Sequence, residues 1–306
     1  MPVVTLADPD LATAVGGRYI EPDLLVIEQQ VDGDVWNHDV PDLGTHLQLV
    51  YGVGPRWAEQ LRLAGYHTLD DLLGHYRFGH DATTCLAALV RRDAQALKAR
   101  GAPVERILRL FTVDELAFLD IETMGLDFGQ ELLVVGVLRL DGGQWVLRQA
   151  AILSLSCQEP LLRAALALLD GALVCVTYNG AAFDIPFMRA AMHFHDVETA
   201  GIDRLFSADM VYPTHRHYRE VLADCRLATV AANVLGITNN GDIPGELIPY
   251  IYGHFLSSRD PQMLRRILEH NRHDLIVLRD LTQQIVTEHV DRETANSPEE
   301  PAWRCR

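Results

Sequence analysis

Asp120 and Glu122 stand two residues apart in LAFLDIET, at the end of an apolar run, where the period of a strand sends both carboxylates to one sheet face. Like charges held that close repel, so the pair is costly unless a proton or a cation offsets it. Hard cations such as Mg²⁺ or Mn²⁺ take carboxylate oxygens, so the chemistry implied is a divalent-metal site. Most Asp-x-Glu pairs merely solvate an exposed strand, and this one needs company to mean more. Asp184 follows the turn at Asn179-Gly180 and starts a predicted helix; an aspartate favouring the helix dipole, with Pro186 behind it, gives the same pattern. His270 and Asp274, four residues apart, share one face of another predicted helix, as an ordinary exposed pair also does. His273 points to a different helix face and ranks second to His270. Asp209, in SADMVYP, is a further acid read as structural or auxiliary.

The elements that must position these residues divide the chain of 306 residues, whose hydrophobic content of 48% suffices for a large core and suggests two domains. Residues 1–43 carry little pattern and no assigned role, although DLLVIEQQVDGDVW has the form of a hairpin around Asp32-Gly33. From 44 to 112 apolar residues recur at helical spacing, broken by Gly52, Gly54, Gly65 and Gly101. From 113 to 290 strand-like runs (LAFLDI, LLVVGVLRL, QWVLRQAAIL, ALVCVTYN) alternate with helical stretches, which is an α/β pattern. A long helix over roughly 261–288 follows, and 291–306 reads as a flexible tail.

The net charge of −16 argues against a nucleic-acid enzyme only until its distribution is considered. Gly44 to Leu110 holds nine Lys/Arg against six Asp/Glu, a net +3, which leaves about −19 for the remainder. A basic module can meet a polyanion while an acidic one gathers cations, though solvated helix faces give the same tally. The five cysteines are scattered without a CxxC pair, which suggests neither disulfides nor zinc. No apolar run reaches about 18 residues and the N-terminus lacks the pattern of a signal peptide, so a soluble cytoplasmic protein away from membranes is expected.

FLDIETMGL, YNGAAFDIPFMR and EHNRHDLIVL resemble the three exonuclease motifs of the DEDD-type ribonuclease H-like nucleases. CRLATVAANVLGI and GDIPGELIPYIY narrow the likeness to the bacterial YprB-type ribonuclease H-like domain, over about residues 114–285. The resemblance implies a mixed five-stranded sheet flanked by helices, with Asp120, Glu122, Asp184 and Asp274 as ligands of two Mg²⁺ or Mn²⁺ ions. Family members carry either a His five residues or a Tyr four residues before the last aspartate. His270 has the chemistry of the first group and the spacing of the second, and the EHN likeness favours it as the residue that orients or deprotonates the attacking water. The resemblance further implies 3′ to 5′ exonuclease action by a two-metal mechanism. Thr123, Met124, Gly125 and Leu126 are then expected at the substrate end, and Asn179 beside the strand unless it only forms the turn.

LVYGVGPRWAEQLRLAGYHTLDDLL resembles a helix-hairpin-helix motif, in which Gly52, Val53, Gly54 and Arg56 would grip phosphates without sequence preference. A plain glycine turn between packed helices is the competing reading. Trp57 and Tyr66 have the chemistry to stack on bases, and equally the spacing of core residues. The favoured substrate is single-stranded nucleic acid, DNA before RNA. The alternatives are an RNA exonuclease, a structure-specific endonuclease, and a catalytically silent nucleic-acid adaptor.

Overall fold

The computed structural model describes residues 8–36, 43–238 and 243–295, the last eight of them by main chain alone. It divides into two compact units, one formed by residues 8–36 with 111–281 and the other by 43–110 with 282–295.

The chain opens with α1 (Pro9–Val15), whose first turn is capped by Asp8 Oδ1, which accepts from the amides of Asp10 and Leu11. β1 (Gly17–Glu21) and β2 (Leu24–Val31) then pair antiparallel. Their turn is at Pro22-Asp23, where Asp23 takes φ +61°, and not at Asp32-Gly33 as the sequence suggested. Pro22 cannot donate to a ladder and an aspartate tolerates the left-handed region, while Leu24 to Ile27 are all buried and continue as one strand.

The second unit is helical: α2 (Pro55–Leu63), α3 (Gly79–Val90), α4 (Ala94–Ala99) and α5 (Val104–Leu108), preceded by single 3₁₀ turns at Leu43–Thr45 and Leu47–Leu49. Leu47, Leu61, Leu69, Leu72, Leu97 and Ile107 form its core. Arg100 fastens it through a two-pronged contact with Asp81, at 2.7 and 3.0 Å.

The first unit resumes with β3 (Leu116–Thr123), β4 (Leu132–Asp141), β5 (Gln144–Ile152), α6 (Gln158–Leu168), β6 (Val174–Thr177), α7 (Asp184–Phe194), α8 (Ala200–Asp203) and β7 (Phe206–Asp209). It continues through α9 (Val211–Tyr218), α10 (Leu227–Asn233), α11 (Ile248–Ser258) and the part of α12 (Pro261–Ala295) up to Leu281. The sheet is mixed and seven-stranded, in the order β1-β2-β5-β4-β3-β6-β7, with β6 and β7 parallel to β3 and the rest antiparallel neighbours. The α/β class holds, and four of these strands, β3 to β6, are the runs that the sequence picked out, while β7 was not read as a strand. The count rises from the implied five to seven because the β1–β2 hairpin pairs along β5 from Leu24↔Ile152 to Val31↔Trp145. Gly142 and Gly143, both at positive φ, make the tight β4–β5 turn.

α12 extends to Ala295, so 291–295 of the expected tail are helical, and 296–306 lie outside the described residues. The four cysteines described, Cys85, Cys157, Cys175 and Cys225, are free thiols. Among the described residues no helix is long and apolar enough to cross a membrane.

Candidate active site

β3 lies inside the sheet, between β4 and β6, so the chain reaches Asp120 through a run, Leu116 to Leu119, buried on both faces. Asp120 is in register with Gly136 of β4, and Gly136 with Gln149 of β5, which places the three side by side across the sheet. Asn271 of α12 descends onto this row. Its Nδ2 donates to Asp120 Oδ2 at 2.7 Å and to the Asp120 carbonyl at 3.2 Å, and its Oδ1 accepts from Gln149 Nε2 at 2.9 Å. Gln149 Nε2 is also held by the Leu268 carbonyl at 2.8 Å. Only a glycine fits between them, since a Cβ on Gly136 would stand 2.0 Å from Asn271 Oδ1 and 2.6 Å from Leu275 Cδ1.

Asp184 is the first residue of α7 and is 5% exposed. The β3–β6 ladder runs only from Leu116 to Phe118, and the amide of Ile121, beyond its end, donates to the Asp184 carboxylate together with Asp184's own amide. The turn before α7 is held by Asp209 at the end of β7, which is 1% exposed. Asp209 accepts from the amides of Asn179 at 2.8 Å, Ala181 at 3.0 Å and Val211 at 3.1 Å. Asn179 takes φ +61°, and Gly180 packs where a Cβ would fall 2.4 Å from Thr177 Cβ. Burial pushes the Asp184 carboxyl up to about 7, the two amides oppose that rise, and Asp209 adds to it.

Asp274 and His270 reach the same place from α12. His270 Nε2 lies 3.8 Å from Asp274 Oδ2, with the two side chains 13% and 27% exposed. The imidazole also faces Gly245, whose Cβ position is 3.7 Å from Nε2. Burial raises the Asp120 carboxyl well above the ordinary carboxylate range, the charges of Asp274 and then Asp184 raise it further, and the Asn271 amide opposes them. Asp120, Asp184 and Asp274 are therefore electrostatic neighbours. Glu122 is on the same strand face as Asp120 and is 7% exposed.

Among the described residues no three His, Cys, Asp or Glu side chains stand arranged to hold an ion as they are. The donor set nevertheless fits a hard divalent cation: its ligands are carboxylate oxygens, and the charges bearing on Asp120 are of its own sign. A cation between them would offset the burial that raises both Asp120 and Asp184 and the like charge that Asp274 and Asp184 add at Asp120.

The remaining expected positions are spread around this group. Thr123 Oγ1 donates to the Gly125 carbonyl at 2.6 Å, and Met124 packs against the core. Gly125 has an ordinary φ, and a Cβ there would meet only the flexible Gln130 side chain at 3.4 Å. Leu126 is 82% exposed. His273 is half-buried on α12, and the approach to Asp274 is made by His270. In the helical unit Gly52 takes φ +81°, Val53 is buried, Gly54 precedes α2 and Arg56 is exposed on its first turn. The Tyr51 and Val53 amides are spent on Asp81 at 2.6 Å and on the Val50 carbonyl at 3.0 Å. A cleft of about 740 Å³ lies against this hairpin, lined by residues that include Tyr51, Gly52, Gly54, Asp81 and Arg100.

Three residues of the site carry roles that sequence reasoning did not assign: Asn271, Gln149 and, as the clamp on the Asp184 turn, Asp209. Asn271 had a signal, because it occupies a core position in the stripe Leu264, Ile267, Leu268, Leu275, Leu278, where a polar residue must have a buried partner.

Residues of this chain are 27% identical over 170 positions to the uncharacterized protein YprB of Bacillus subtilis (strain 168), a match that covers 55% of this chain and 41% of that protein. Among solved structures, the family B DNA polymerase of the hyperthermophilic archaeon Pyrobaculum calidifontis is similar with a TM-score of 0.43 and 16% identity, over 56% of this chain and 24% of that one. The sequence model of the RNase H superfamily matches residues 117–286, the whole span from β3 through the carboxylates to α12, and the chain belongs to that superfamily.

Proposed function

We propose that this protein is a DEDD-type exonuclease that hydrolyses phosphodiester bonds of single-stranded nucleic acid, DNA before RNA, in the 3′ to 5′ direction. Membership of the RNase H superfamily supports a nuclease, and such nucleases generally need divalent metals. The observation that carries the finer reading is the meeting of Asp120, Asp184 and Asp274, drawn from one strand and two helices, around buried like charge.

Asp120, Glu122, Asp184 and Asp274 would hold two Mg²⁺ or Mn²⁺ ions. Such ions, when bound, activate the attacking water and neutralise charge at the leaving oxygen. The protein does the rest. Asn271 fixes the rotamer of Asp120, and the Ile121 amide fixes that of Asp184. His270 takes the proton of the attacking water at Nε2, the ring nitrogen turned toward Asp274. The segment Thr123 to Leu126, with Leu126 outermost, meets the terminal nucleotide, and Asn179 borders the strand. Residues 44–112 grip the substrate, with the amides of Gly52 and Gly54 and the side chain of Arg56 against phosphates.

Incubation of a 5′-labelled single strand with the full chain and Mn²⁺ tests this. A ladder of shortened products that disappears with chelator and with Asp184→Asn supports it. Tight binding without cleavage in any divalent metal overturns it in favour of an adaptor, cuts in a strand with both ends blocked favour an endonuclease, and faster loss of a matched RNA favours an RNA exonuclease.

A further inference from the structure

The helical unit carries an aromatic column with one open end. The His75 ring stacks on buried Phe78 at 4.9 Å and 26°, and Tyr76 stacks on His75 at 4.9 Å and 22°. Tyr66 closes on the His75 edge at 5.2 Å. His75 is not free to turn, because its Nδ1 accepts from the amides of Arg77 and Phe78 at 3.2 and 3.3 Å. Tyr76 is 94% exposed, so it adds nothing to the core, and its ring lies within 22° of parallel to a ring that is itself fixed by hydrogen bonds.

Cationic charge surrounds the same base. The Arg77 guanidinium lies 5.0 Å from the Trp57 ring centre and 5.1 Å from that of Phe78. Trp57 is on the first turn of α2, which contains no acidic residue, next to exposed Arg56. An aromatic face set beside arginines complements a polymer that alternates flat bases with phosphates, and among the described residues Arg56 and Arg77 have no carboxylate partner.

We infer that Tyr76, stacked on the His75 ring that itself stacks on Phe78 and followed in sequence by Arg77, is a base-stacking platform for single-stranded nucleic acid. A duplex covers the faces of its bases, so an outward ring can add a stacking partner only where a base is unpaired. The platform accordingly selects single strands or frayed ends, whereas phosphate contacts alone accept either form. The fixed His75 ring offers Tyr76 a stacking partner before a base arrives, which lowers the entropy lost on binding. This inference rests on the nucleic-acid reading above and deepens it by naming the strandedness of the substrate and the residue that senses it.

Fluorescence anisotropy of labelled oligo-dT and of a blunt duplex, with the full chain carrying Asp184→Asn to prevent cleavage, provides the test. Tyr76→Ala should weaken binding of oligo-dT about tenfold and leave the duplex unchanged. Tyr76→Phe should bind like the parent, because stacking needs the ring and not the hydroxyl. The inference fails if Tyr76→Ala binds oligo-dT as tightly as the parent, if both nucleic acids weaken equally, or if the parent binds neither. Its failure is separable from failure of the nuclease assignment, since cleavage by the chain with Asp184 intact is read in a different assay.

Discussion

The Asn271 side-chain amide donates to Asp120 Oδ2 at 2.7 Å while its oxygen accepts from Gln149 at 2.9 Å, so one buried helix residue ties the central carboxylate to the sheet two strands away. Asn271→Ala removes both bonds and leaves Asp120 free to rotate. A loss of stability on the order of 1–3 kcal/mol and a drop of about 10–100-fold in Mn²⁺ affinity or turnover are expected. Calorimetric titration of Mn²⁺ into folded variant checks this, and unchanged affinity would show that Asn271 only packs.

Gly136 should be as sensitive for a steric reason. A methyl group at Gly136→Ala would fall 2.0 Å from Asn271 Oδ1, with a main-chain strand beneath it and a packed helix above. The helix must shift, at a cost of about 1–3 kcal/mol or more, and the Asn271–Asp120 bond goes with it. A melting curve and a cleavage rate measured on the same preparation should fall together; full activity would mean the row tolerates displacement.

Asp120 and Asp184 have raised pKa values in the folded state, Asp184 up to about 7. The folded protein therefore keeps protons that the unfolded chain has released, and stability without metal falls as pH climbs from about 4 to about 7. The groups facing one another are Asp274, Asp184 and the Asn271 amide around Asp120, with Asp209 near Asp184. In chelator, Asp184→Asn should melt several degrees above the parent at about pH 8 and with it near pH 4, and added Mn²⁺ should stabilise the parent most at the higher pH. A parent that becomes more stable with rising pH in chelator contradicts this.

Local pattern carried much of this architecture, and what it missed depends on contacts between distant segments. Runs such as Leu132–Asp141 and Gln144–Ile152 announce strands because their apolar residues and the Asp141-Gly142-Gly143 turn are adjacent in sequence. Asp32-Gly33 imitates a hairpin turn, but the glycine there answers a distant demand: a Cβ on Gly33 would lie 2.5 Å from the Arg279 guanidinium carbon. Asp120 and Glu122 were legible from strand period, and Asp184 and Asp274 from their motifs. The partnership of Gly136, Gln149 and Asn271 was not, because it exists only once three strands are in register and α12 is laid over them.

Asp209 should act on Asp184 through the turn it clamps. Asp209→Ala leaves the amides of Asn179, Ala181 and Val211 without their acceptor, a loss on the order of 3 kcal/mol or more. Asp209→Asn keeps an acceptor but removes a charge that raises Asp184, so it should retain more stability and bring the Asp184 titration down. Protease sensitivity near residues 178–183 should increase in the alanine variant and much less in the asparagine variant. Equal sensitivity in both would mean that charge, and not hydrogen bonding, holds the turn.

His270 and His273 separate the proton-transfer role from mere position on α12. His270 approaches Asp274 within 3.8 Å and faces Gly245, whereas His273 occupies another side of the helix. If His270 moves a proton and holds no ion, as proposed, His270→Ala should reduce kcat about 10²–10⁴-fold while leaving KM and Mn²⁺ affinity near those of the parent. His273→Ala should stay within a few-fold of the parent in both constants. If the His270 variant instead loses Mn²⁺, the imidazole is a ligand; if the two variants are equally slow, the effect belongs to the helix and the assignment of His270 to proton transfer must be withdrawn.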